Sequence, residues 1–155
     1  MFVCTANQFR SPIAAACFSK LITRENIRKR WRVESAGTWA GNGISAPAIA
    51  LQVAGSLGLA GLEGHLSRRV DQELLAQFDL VIVMERGHKE ALCIEFPSVC
   101  RRVYLLSEIV DEAQYDVPDP GGSGLTAADA AKLLLDLLSR GKEKILKLAE
   151  SLSRE

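Results

Sequence analysis

The chain begins with a short, apolar, extended stretch, Met1-Phe2-Val3. It runs directly into Cys4-Thr5-Ala6-Asn7-Gln8-Phe9-Arg10-Ser11-Pro12, and then into the strong helix former Pro12-Ile13-Ala14-Ala15-Ala16. Proline is tolerated in a first helical turn, because the N–H it lacks would have had no intrahelical partner. The order is therefore strand, loop, helix. Further along, the apolar pattern predicts helices over 12–23, 46–57, 71–77 and 87–95, and extended segments over 31–35, 80–84 and 101–105. A last helix is predicted from about Thr126 to near Ser151, with Leu134, Leu138, Ile145, Leu148 and Leu152 on one stripe. Strands separated by helices imply a parallel sheet of four strands covered on both faces, an α/β/α sandwich forming one domain over 1–155. Ligands of such sheets bind beyond the carboxyl ends of the strands, and Cys4 falls at one such end. Residues 113–125 form the only long irregular stretch, as expected of a functional loop.

The first amides of a helix lack intrahelical partners and carry the positive end of its dipole. Loop amides curled toward the same point add donors, so a tetrahedral dianion can be held mostly by backbone. Cys4 would sit in that field, which favours its sulfur as the anion and hence as a nucleophile. Arg10 supplies a planar fork matched to two phosphoryl oxygens, a geometry lysine does not reproduce. Ser11 can offer its hydroxyl to the cysteine sulfur. Taken singly, a cysteine at a strand end is commonly a small buried hydrophobe. Asn7, Ser11 and Pro12 in register with Cys4 and Arg10 favour the chemical reading.

Phosphoryl transfer also needs a proton donor for the leaving group. Asp119 lies in Asp116-Val117-Pro118-Asp119-Pro120-Gly121-Gly122-Ser123-Gly124. The flanking prolines stiffen the backbone, and the small residues that follow cannot form a core element, so the segment presents a carboxylate on a loop. On its own such a segment reads as a turn. Beside Cys4 it reads as a general acid.

These segments, with Trp31-Arg32-Val33-Glu34-Ser35-Ala36-Gly37-Thr38, Gly64-His65-Leu66-Ser67-Arg68 and Phe78-Asp79-Leu80-Val81-Ile82-Val83-Met84, resemble the low-molecular-weight protein tyrosine phosphatases in order and spacing over nearly the whole chain. The resemblance implies that Cys4 attacks phosphorus, that Arg10 binds the phosphoryl group, and that Asp119 protonates the leaving oxygen and then activates water. It implies a phosphate-binding loop made of Thr5, Ala6, Asn7, Gln8, Phe9 and Ser11 between Cys4 and the helix. It also implies that Asn7 is held left-handed by Ser11, Ser35 and His65. Asparagine accepts positive φ better than most residues, and a strained position needs neighbours that over-determine it. No cofactor and no metal are implied. The substrate would be a phosphorylated protein, foremost phosphotyrosine, or a small phosphate ester, and the protein a monomer or weak homodimer.

Four positions depart from the family pattern. Ala6 stands where glycine is usual, and alanine reaches positive φ only at a cost. Phe9 replaces a second cysteine that can trap the oxidised nucleophile as a disulfide, so Cys4 is expected to oxidise progressively. Gly121 and Gly122 replace two aromatics that pack on the substrate ring, which removes one pocket wall; Trp39 is the expected substitute. Only three residues precede Cys4, so the first strand should be short. Gln8 matches neither the apolar residue of many tyrosine phosphatases of this kind nor the threonine of phosphoarginine phosphatases, so specificity stays open between them.

With 155 residues, 48% of them hydrophobic, the chain can bury one substantial core. Lys+Arg 19 balance Asp+Glu 19, so no broad attraction to nucleic acid or to an anionic membrane is expected. No apolar run reaches membrane-spanning length, and a cytoplasmic location is expected. Cys4, Cys17, Cys93 and Cys100 show no metal-binding spacing, a chain of this size does not need disulfides, and Cys17 should face the core. Two rival readings remain. One is a thioredoxin-coupled arsenate reductase that relays oxidation through Cys93 and Cys100; the other is a non-catalytic phosphate-binding module.

Overall fold

A computed structural model describes residues 1–23 and 31–153. In chain order the elements are β1 (Phe2–Cys4), α1 (Arg10–Thr23), β2 (Ser35–Gly37), α2 (Ala48–Ser56), α3 (Gln72–Ala76), β3 (Val81–Val83) and α4 (Arg86–Glu95). A 3-10 helix (Pro97–Arg102), β4 (Val103–Leu105), α5 (Leu106–Asp111) and α6 (Ala127–Leu152) follow. Among the described residues the sheet has four strands in the order β2-β1-β3-β4, all pairs parallel. This is the expected α/β/α sandwich.

Pleating sends alternate side chains to opposite faces, so the strands feed two cores. Phe2, Cys4, Ile82 and Met84 join the core built by α1, α2, α5 and α6, while Val3, Val81, Val83, Val103 and Leu105 join the core under α3 and α4. Every residue of β1, β2 and β3 is buried. Near-continuous apolar strands are what a parallel sheet covered on both faces requires.

Strands β2, β3 and β4 are shorter than the sequence pattern suggests, while β1 has the short length expected of it. β1 is three residues long, and β2 pairs with it from Phe2↔Ser35 to Cys4↔Gly37, so the extended segment expected over 31–35 becomes a strand only at Ser35 and continues to Gly37. β4 begins at Val103 rather than 101, because Pro97 opens a 3-10 turn that lasts to Arg102. Helix α5 was not expected. It follows β4 without a loop and buries Leu106, Ile109 and Val110, a run that reads equally well as extended.

The cysteines require one correction. Cys93 in α4 and Cys100 in the 3-10 helix form a disulfide, with their α-carbons 4.6 Å apart. The turn at Pro97 folds the chain back onto the end of α4, which no local spacing announces. Helix α4 carries the chain away from the carboxyl end of β3, and the 3-10 helix leads into the start of β4. The disulfide therefore lies at the amino end of the sheet and Cys4 at the carboxyl end of β1, whereas a thiol relay needs sulfurs in contact. Cys4 and Cys17 are free and buried; burial pushes the Cys17 thiol up to about 11. Among the described residues no helix is long and apolar enough to cross a membrane.

Gly141 sits in the interior of α6, where alanine would ordinarily favour the helix by about 1 kcal/mol. A Cβ there would lie 2.4 Å from Cγ2 of Val110 in α5. Overpacking a buried contact costs about 1–3 kcal/mol and should prevail. Gly141→Ala is therefore expected to lower the denaturation midpoint; an unchanged or raised midpoint would show that Val110 yields freely.

Candidate active site

Strand β1 stops at Cys4 and α1 begins at Arg10, so residues 5–9 form a loop over the carboxyl edge of the sheet. Its pivot is Asn7, with φ of 56°. The Asn7 side chain donates from Nδ2 to Ser11 Oγ and to Ser35 Oγ, both at 2.9 Å, and its Oδ1 accepts the Arg68 amide at 3.0 Å. Its carbonyl accepts from His65 Nε2 at 2.7 Å. Asn7, Ser11, Ser35 and His65 are thus brought together, with Arg68 as an additional member that the sequence did not single out. Ala6 escapes the cost anticipated for it: among the described residues only Asn7 and Glu112 are non-glycine residues with positive φ.

Segment 37–39 fastens the same loop. The Thr38 amide donates to the Cys4 carbonyl at 2.8 Å and the Trp39 amide to the Thr5 carbonyl at 3.0 Å. That approach is possible because residue 37 is glycine: a Cβ there would lie 2.4 Å from the Thr5 carbonyl oxygen and 3.0 Å from the Asn7 nitrogen. Cys4 Sγ lies 3.0 Å from Ser11 Oγ. The Ser11 hydroxyl also donates to the Ala36 carbonyl at 3.2 Å, so its single proton serves either the carbonyl or the sulfur.

Arg10 is 2% exposed. One terminal nitrogen, Nη1, donates to Glu85 Oε1 and, at 3.0 Å, to the Val117 carbonyl; Nη2 donates to Asp119 Oδ2 at 3.1 Å. A guanidinium has five N–H donors, so two remain for an oxyanion. Asp119 is fixed in turn by the Gly121 amide on Oδ1 at 3.0 Å, while its side chain stays 52% exposed. The loop bearing it is anchored by the Val117 amide to the Met84 carbonyl at 2.8 Å and by Asp116 Oδ1 to the Arg86 amide at 2.8 Å.

Helix α4 makes a second approach. His88 Nε2 lies 2.8 Å from Thr5 Oγ1, and His88 Nδ1 accepts the Glu85 amide at 3.1 Å. His88 is 5% exposed, and burial, aided by Arg10, holds its pKa below the ordinary value of 6.5 against the opposing carboxylates of Glu85, Asp116 and Asp119. Nothing local marked Glu85 or His88 as site residues; only the end of β3 beside β1 brings them here.

A cavity of about 370 Å³ opens over Cys4, Ala6, Gln8 and Arg10. Phe9, Pro47, Ile49 and Ala127 supply apolar walls, and Asp119, Pro120 and Gly121 close the remaining side. Trp39 does not line it. Its backbone is committed to Thr5 and its side chain is 76% exposed, so the wall expected from Trp39 is supplied by Phe9 and Ile49 instead.

Residues 1–155 match the family model for low molecular weight phosphotyrosine protein phosphatase. The chain is 33% identical over 149 residues to a protein-arginine-phosphatase of Bacillus subtilis, covering 95% of each chain. It is also 33% identical over 140 residues to the low molecular weight protein-tyrosine-phosphatase Wzb of Escherichia coli, covering 90% of this chain and 89% of the relative. A solved structure of YwlE arginine phosphatase, a mutant with a phosphorylated active-site serine, superposes with a TM-score of 0.86 at 33% identity and covers 97% of each chain. With its four-stranded parallel sheet and a loop spanning Cys4 to Arg10, this chain belongs to the low molecular weight phosphotyrosine protein phosphatase family.

Proposed function

We propose that this protein hydrolyses phosphotyrosine in proteins by transferring the phosphoryl group to Cys4. The observation that carries the reading is the convergence of Cys4, Arg10 and Asp119 on one apolar-walled cavity, with Arg10 Nη2 3.1 Å from Asp119. The Cys4 sulfur attacks phosphorus in line with the ester oxygen, the S–P bond forms as the P–O bond breaks, and Asp119 delivers its proton to the departing oxygen. The two free N–H groups of Arg10 hold the equatorial oxygens. Asp119, now a carboxylate, then takes a proton from water, which attacks the phosphocysteine and releases phosphate and the Cys4 thiolate. The Ser11 hydroxyl can move its proton from the Ala36 carbonyl to that sulfur as negative charge returns to it.

Phe9 supports an aryl substrate, because an aromatic side chain lining the cavity offers the stacking, on the order of 0.5–1.5 kcal/mol, that Gly121 and Gly122 cannot. Phosphoarginine is the second reading. Asp119, half exposed at the rim and followed by no bulky residue, could pair with a guanidinium, and a Bacillus subtilis relative is a protein-arginine-phosphatase. Turnover measured side by side on phosphotyrosine and phosphoarginine peptides separates the two.

Cys4→Ser should abolish turnover with the fold intact, and Arg10→Lys should lose about 3 kcal/mol of transition-state stabilisation. Asp119→Asn should slow alkyl and phenyl phosphates by about 10²–10⁴-fold and p-nitrophenyl phosphate far less, because nitrophenolate leaves without a proton. Equal losses on both kinds of ester would remove the acid role from Asp119. Arsenate-dependent oxidation of thioredoxin would identify the reductase instead, and phosphate binding without turnover the inert module.

Phe9→Cys should change the response to hydrogen peroxide. Peroxide converts the Cys4 thiolate to a sulfenic acid, which an introduced neighbouring thiol captures as a disulfide with loss of water. After prolonged exposure, dithiothreitol should restore more activity to the variant than to the wild type. Equal recovery would mean that the two sulfurs cannot meet.

A further inference from the structure

Both histidines of this chain bond to the loop that follows Cys4: His65 to the Asn7 carbonyl, and His88 to the Thr5 hydroxyl from helix α4. We propose that His88 is a positioning residue for the phosphate-binding loop and that it acts only as the neutral imidazole carrying its proton on Nε2. This rests on the phosphatase reading above and adds to it a residue that touches neither substrate nor sulfur.

The bonds assign the tautomer. His88 Nδ1 faces the Glu85 N–H at 3.1 Å and must accept there, so the ring proton lies on Nε2 and is donated to Thr5 Oγ1 at 2.8 Å. Thr5 follows the nucleophile directly, and its carbonyl is already held by the Trp39 amide. His88 therefore fixes the side chain of a residue whose backbone is fixed from the turn after β2. Glu85, which presents its amide to His88, uses its carboxylate to hold Arg10. One helical turn thus grips the loop beside Cys4 and at Arg10.

Protonation breaks this arrangement at one place. A second ring proton would sit on Nδ1 against the Glu85 N–H, two donors facing each other, and the helix cap would open. His65 makes a bond of another kind: its Nε2 faces the Asn7 carbonyl, which only a donor can satisfy. The groups facing His88 are Thr5 and Arg10 from the loop and α1, Glu85 from its own turn, and Asp116 and Asp119 from the acid loop. Glu85 Oε2 lies 4.0 Å from Nε2. The carboxylates favour the protonated ring, while burial, the largest effect, and Arg10 oppose it. Because the folded value lies below the unfolded one of about 6.5, the His88 contribution is present in full above that pH. It is lost as pH falls through the lowered folded value.

The test compares wild type with His88→Ala, Thr5→Val, the double variant and His88→Gln. Turnover of p-nitrophenyl phosphate and affinity for inorganic phosphate are measured in each between about pH 5 and 8. Each single truncation should lower kcat and weaken phosphate binding about tenfold at neutral pH, and the double variant should be no worse than the worse single one, as for two halves of one contact. Glutamine at this helical position accepts the same capping N–H and keeps a donor for Thr5 without titrating. His88→Gln should therefore recover most of the loss and shift the acid limb of kcat to lower pH. Independent, additive losses, a glutamine variant with the wild-type acid limb, or variants that lose only thermal stability would each overturn the proposal. Wild type that binds phosphate without turnover would defeat the phosphatase reading, while the phosphate affinities would still decide the role of His88.

Discussion

The left-handed turn at Asn7 is the constraint on which the site depends. A non-glycine residue at φ of 56° is unfavourable on its own and persists only where its surroundings over-determine it. Here the carboxamide satisfies two hydroxyls and one amide, and the carbonyl satisfies a histidine, so three segments of chain, the loop running into α1, β2 and residues 65–68, meet at one residue. The turn sets where the chain re-enters α1 and therefore where Arg10 stands relative to Cys4. Each net hydrogen bond contributes about 1 kcal/mol, so the set comfortably exceeds the cost of the conformation.

Around that pivot the site is closed from two sides. Strand β2 supplies Ser35 and the close approach at Gly37, while the end of β3 and the start of α4 supply Glu85 and His88. Arg10 joins the second group to the acid loop, bonding to Glu85, to the Val117 carbonyl and to Asp119. A buried guanidinium without such partners would be strongly destabilising. With them it ties the proposed acid, Asp119, to the start of α1 at the end of the loop that begins at Cys4.

What the sequence made legible followed from locality. Cys4, Asn7, Arg10 and Ser11 lie within one short segment, so their spacing suggested them, while Asp119, in a proline-bracketed stretch that alone reads as a turn, was suggested by its pairing with Cys4. Ser35 and His65 came only through family resemblance, because a serine at a strand end and a histidine in a loop carry no chemistry of their own. Glu85, His88 and Arg68 were missed for a related reason: they reach the loop through the pairing of β1 with β3 and through backbone register, which one-dimensional pattern does not encode. The same limit explains the Cys93–Cys100 bond, made by a 3-10 turn, and the direction of Trp39, whose side chain points to solvent while its amide serves the loop. The parallel α/β architecture was the most legible feature, because buried strands and amphipathic helices differ in period throughout the chain.

Covalent transfer to sulfur is the central claim, and mass analysis of protein quenched in alkaline denaturant tests it most directly. The Asp119→Ala variant, in which the proposed mechanism slows breakdown of the intermediate, would be mixed with excess p-nitrophenyl phosphate, quenched during turnover and digested. The account predicts a single phosphoryl adduct on the peptide carrying Cys4, stable in alkali and lost in mild acid, and absent when Cys4→Ser is added. Turnover without any adduct, or an adduct on another residue, would contradict it.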